Sequence, residues 1–104
     1  MLGGPEESPA PEDFVAVDQD PVRLSIAPPA YPEMARQAGV EGSVLVNALV
    51  GKNGKVRQVL VISGPEMLRD AAVASAKTAI FRPAILNNKP LEVWVAFPVT
   101  FQMR

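Results

Sequence analysis

The sequence has no cysteine and no histidine among its 104 residues, and only one Trp and one Tyr. Without histidine it lacks the usual general base and the commonest transition-metal ligand. Without cysteine it lacks thiolate nucleophiles, thiolate zinc sites and disulfides. Most catalytic templates fail on these absences, so we read the chain as no enzyme and assign no catalytic, cofactor-binding or metal-ligating residue. The missing cysteines leave the compartment open, because a cytosolic protein and a disulfide-free exported one look alike by this test. No run reaches the roughly 18 apolar residues of a membrane helix. Met1 to Pro5 also offers neither a basic nor an apolar leader region, so the sequence as it stands is expected to carry no anchor and no export signal.

What is present fits one small domain and a tail, at 48% hydrophobic residues. The formal net charge of -1 hides an asymmetry. Glu6, Glu7, Glu12, Asp13, Asp18 and Asp20 put six acids and no base before Arg23, whereas the remainder holds all ten bases against five acids. An acidic tail therefore precedes a mildly basic body. Seven of the eleven prolines also fall in the first 32 residues, where too little apolar surface is available to offset the entropy of ordering. Residues 1 to about 20 are expected to be flexible, with the tail taken as 1–21 and the domain as 22–104.

Within the body, Arg23-Leu24-Ser25-Ile26 reads as a short extended segment with Leu24 and Ile26 docked inward. Pro32 to Ala38 reads as a short helix, since Pro suits a first turn, Glu33 suits the positive end of the dipole and Gly39 can close the C-terminus. Met34, Ala35 and Ala38 would form its buried stripe. Ser43 to Val50 and Lys55 to Ser63 are β-branched runs joined through Asn53-Gly54, a hairpin signal because both residues tolerate positive φ. The run Glu66 to Ile80 repeats apolar residues at three- and four-residue spacing and predicts the main helix, whose alanine-rich stripe should lie close on a sheet. Asn87-Asn88-Lys89-Pro90 turns the chain into a third strand from Leu91. There Leu91, Val93, Val95, Phe97, Val99, Phe101 and Met103 alternate with Glu92, Trp94, Ala96, Pro98, Thr100 and Gln102.

These pieces assemble into an α+β fold, helix-strand-strand-helix-strand, with a three-stranded antiparallel sheet and two helices packed on one face. A right-handed crossover through the main helix puts the third strand beside the first. Pro98, which has no N–H, makes that third strand an edge. The first two strands are apolar on both faces, which favours a covered second face or a homodimer.

Tyr31-Pro32-Glu33-Met34-Ala35-Arg36, Val40-Glu41-Gly42-Ser43-Val44, Asn53-Gly54-Lys55-Val56, Phe81-Arg82-Pro83-Ala84, Lys89-Pro90 and Val99-Thr100-Phe101 stand in the order and spacing of the TonB C-terminal domain. The chain resembles that family over residues 22 to 104. The resemblance implies a periplasmic domain of an inner-membrane energy transducer whose membrane helix and Pro-rich spacer lie upstream. Such a transducer works with an ExbB/ExbD-type proton-driven motor and pulls on outer-membrane receptors for siderophores and cobalamin. An edge strand flanked by aromatics suits β-strand addition by a receptor's N-terminal peptide. The residues assigned to partner binding are Leu91, Glu92, Val93, Trp94, Val95 and Ala96, with Tyr31, Pro32 and Arg82. The same domain also occurs in sensor peptidases and gliding-associated proteins, so the alternative is an interaction or assembly module that engages no transport receptor.

Each of these residues also has a structural reading. Trp94 either meets a partner or covers the sheet's second face beneath the 20s segment. Tyr31 is better explained by packing over Ala35 and a sheet end, and Arg82 by a pair with Glu66, Asp70 or a helix-end carbonyl. Glu66 and Asp70 stand one helical turn apart but lack a pocket or metal partner, so they read as helix N-terminal charge. The bases Arg36, Lys52, Lys55, Arg57 and Lys89 lack interleaved aromatics or a recognition-helix pattern, and we assign no nucleic-acid partner.

Overall fold

A computed structural model describes residues 9–11 and 16–103. Of the segment read as a flexible tail, residues 1–8 and 12–15 lie outside the described residues. The elements run β1 (Val22–Ser25), α1 (Glu33–Gln37), β2 (Gly42–Val50), β3 (Val56–Ser63), α2 (Glu66–Ala76), β4 (Ile80–Arg82), β5 (Ala84–Leu86), β6 (Lys89–Leu91) and β7 (Val93–Phe101).

The main sheet has the antiparallel order β3-β2-β7, the order given by the crossover argument. β2 pairs with β7 in an unbroken register from Gly42↔Phe101 to Val50↔Val93. Because side chains alternate along a strand, Val44, Val46, Ala48 and Val50 fall on one face, where they are wholly buried with Phe97, Val99 and Phe101. α2 packs on this face. Leu68, Ala72, Ser75 and Ala76 form its buried stripe, and the small side chains of Ala72, Ser75 and Ala76 let the helix approach the strands closely.

Four details depart from the reading of the sequence. α1 buries only Ala35, while Met34 is 72% exposed and Ala38 also faces solvent. Five helical residues make about one and a half turns, enough to aim one side chain at the core. Leu24 is 56% exposed, because the β1–β4 register jumps from Arg23↔Phe81 to Ser25↔Ile80 and leaves Leu24 as the bulged residue. α2 stops at Ala76, four residues early. Thr78 N–H and Ala79 N–H then bond three residues back, to the Ser75 and Ala76 carbonyls. The Thr78 hydroxyl also donates to Ser75 O at 2.7 Å while accepting from Ala27 N–H at 2.9 Å, and the Ser75 hydroxyl donates to Ala27 O at 2.7 Å. This polar knot closes the helix and ties β1's exit to it. Finally, the third strand does not begin at Leu91. Lys89–Leu91 folds back on β5 through Asn87 and Asn88, whose φ values of 54° and 65° give the left-handed pair of a tight hairpin, and β7 starts after Glu92.

Gly54 has a second role besides the hairpin it closes. Its φ is +84°, and a β-carbon there would lie 2.0 Å from the Phe81 carbonyl oxygen. The Phe81 N–H donates to the Gly54 carbonyl at 2.8 Å, so this turn carries β4 as well as joining β2 to β3.

Candidate partner-binding edge

Among the described residues, β7 is hydrogen-bonded to a strand on one side only, that of β2. Pro98 sits opposite Leu45 and is exposed. A proline leaves the ladder to β2 intact only if position 98 faces away from it. By period-two alternation, Trp94, Ala96 and Thr100 then also turn their backbone N–H and C=O groups outward.

The residues assigned to partner binding fall in three places. Val93, Trp94, Val95 and Ala96 are consecutive on β7: Val93 is buried, Val95 packs against the core, and Trp94 and Ala96 lie on the opposite face. Leu91 pairs with Ala84 in the small hairpin, and Glu92 spans the break between β6 and β7. Glu92 accepts from Arg57 at 2.6 Å, the only ion pair among the described residues, and this pair fixes the chain where it turns into β7. Tyr31 and Pro32 stand at the other end of the strand, about 27 Å away by strand rise. There the Tyr31 ring meets Phe101 edge-on at 5.6 Å and its hydroxyl donates to the Val40 carbonyl. Burial pushes the Tyr31 hydroxyl above its ordinary pKa, Glu41 adds to this, and Arg36 opposes it. Arg82 is exposed on β4 opposite Val22, and among the described residues neither Glu66 nor Asp70 pairs with it.

Two features beside the edge were not read from the sequence. Arg23 lies over the Phe97 ring at 5.2 Å, and Phe81 packs on Phe97 at 6.0 Å. Pro21, Arg23, Phe81, Val95, Phe97 and Pro98 line a cleft of about 370 Å³ between the β1–β4 ribbon and β7. The tail also reaches this region. The Asp18 and Gln19 N–H groups donate to Ile85 O, Ile85 N–H returns to Gln19 O, and the Asp18 carboxylate accepts from Asn87 N–H at 2.9 Å. Trp94 Nε1–H donates to the Pro9 carbonyl at 2.8 Å, so the segment over Trp94 is the one around Pro9 rather than the 20s segment.

No group of three or more potential metal ligands occurs among the described residues, and none of their helices is long and apolar enough to cross a membrane. Residues 27–103 match the family model described as the Gram-negative bacterial TonB protein C-terminal. The chain belongs to the TonB C-terminal family. It is 30% identical over 91 residues to a protein named TonB from Vibrio cholerae serotype O1, covering 86% of this chain and 37% of that relative. It is 36% identical over 77 residues to a protein named tonB2 from Pseudomonas aeruginosa, covering 72% of this chain and 28% of that relative. The chain thus spans well under half the length of either TonB relative. The solution NMR structure of the Pseudomonas aeruginosa TonB C-terminal domain shares the fold, with a TM-score of 0.64 at 24% identity over 83% of this chain and 89% of that one.

Proposed function

We propose that this domain is the periplasmic, receptor-binding end of a TonB-type energy transducer. Its parent protein is anchored in the inner membrane and driven by an ExbB/ExbD-type motor, and it passes mechanical force to outer-membrane receptors for siderophore or cobalamin uptake. The observation that carries this reading is the one-sided pairing of β7. An extended receptor peptide adds to the outer edge over Val93 to Ala96, taking the outward groups of Trp94 and Ala96 before the missing donor at Pro98 interrupts the ladder. Arg82, exposed on β4, meets a receptor carboxylate, and Tyr31-Pro32 bounds the far end of the strand. The domain does no chemistry in this scheme. Each backbone hydrogen bond contributes only about 0.5–1.5 kcal/mol net, but a pull along the strand axis loads several together and is resisted in shear.

The test is an NMR titration of the labelled chain with peptides from the N-termini of the same organism's outer-membrane receptors. Shifts concentrated in Val93 to Ala96 are the expected result. No response at millimolar peptide overturns the reading in favour of an assembly module, or of a homodimer whose edge is already filled.

A further inference from the structure

We infer that Trp94 is a docking site for a proline-rich segment, filled in this chain by its own Pro9-Ala10-Pro11. An indole N–H is a donor with no acceptor function, carried on a flat apolar ring that prefers cover on one side and a polar partner at its edge. A proline-rich stretch answers both needs. Its rings present apolar surface, and because proline's φ is already fixed little backbone freedom is lost when one of its carbonyls is held in place. In the structure Trp94 Nε1 donates to Pro9 O at 2.8 Å, and Pro9, Ala10 and Trp94 are each half-buried.

The sheet beneath supports the same assignment. Leu49 is the cross-strand partner of Trp94 and lies on the face away from the helices, yet it is only 3% exposed. Farther along that face Leu45 and Asn47 are half-buried and Leu60 is 37% and Ile62 52% exposed, so burial is most complete at the end where Trp94 stands and Pro9 touches it. Charge is complementary as well. Glu6, Glu7, Glu12 and Asp13 flank the Pro-Ala-Pro segment. Lys52 and Lys55 stand at the β2–β3 turn, beside the Val50↔Val93 end of the ladder where Trp94 lies. The site needs no receptor, so it stands whether or not β7 accepts an added strand.

Trp94 is the only tryptophan, so its indole N–H gives a single assignable NMR signal in the full chain. In the double variant Pro9→Ala/Pro11→Ala that signal is expected to move and its hydrogen exchange to quicken several-fold, while the β2 and β3 amides stay in place. A peptide with the sequence of Ser8 to Asp13, added at several millimolar to that variant, is expected to return the signal toward its original position. The same peptide with both prolines replaced by alanine is expected not to do so. An indole signal indifferent to the double substitution overturns the inference, as does equal recovery with the proline-free peptide, which would leave only nonspecific charge attraction.

Discussion

The two faces of the main sheet are built from the same three strands by the same alternation, yet they are held differently. On the helix side Val44, Val46, Ala48 and Val50 are completely buried and Phe97 and Phe101 complete the layer. On the other side Leu49 is buried, Trp94 is hydrogen-bonded to the tail at Pro9, and Leu60 and Ile62 lie open. The difference teaches that hydrophobicity on both faces of a strand does not fix what covers each. A helix close in sequence covers one face, while on the other Trp94 is bonded to a residue 85 positions away.

The largest expected break of this comparison is Phe97→Ala, which removes a core ring in contact with Arg23 and Phe81 and should cost about 3–5 kcal/mol in denaturant melts. Trp94→Ala should cost less, about 1–2 kcal/mol, since it lies partly exposed on the face away from the helices. Equal losses from the two variants would erase the distinction between the faces.

A smaller effect comes from the seam where the helix-side layer ends. Tyr31 has a raised pKa in the folded chain, so the neutral phenol is favoured there. Its contribution is complete below the unfolded value of about 10 and is lost as pH rises through the folded one. Melting temperature should therefore fall above about pH 10, and Tyr31→Phe should flatten that fall while losing the bond to the Val40 carbonyl. The smallest effect belongs to the open face, where Ile62→Lys should shift stability by no more than about 0.5 kcal/mol. A larger loss would mean that this face is covered in solution.

Much of this fold was legible because its signals are local. Asn53-Gly54 named the hairpin, the 3.6-residue spacing of Leu68, Ala72 and Ala76 named α2, and Pro98 named the edge. What was missed is non-local or very short. β1 was read as an extended segment, but its pairing with the three-residue β4, whose register jumps at Leu24, has no local signature. The close approach of Gly54 to Phe81 is likewise hidden behind the glycine's local role in the turn. The candidate site was legible as an edge but not as a neighbourhood. Leu91 turned out to belong to a different hairpin, and the Arg23–Phe97 stack beside the edge has no signature in the spacing of its residues.

The outward set of β7 gives the most direct measurement of the central claim. Residue-resolved hydrogen exchange of the Trp94 and Ala96 amides should be fast in the free chain. It should slow by at least about tenfold when a receptor N-terminal peptide is bound, with Val93 and Val95 protected in both states by β2. Trp94 and Ala96 amides already protected without peptide, or unchanged by a peptide that demonstrably binds, would contradict strand addition at this edge.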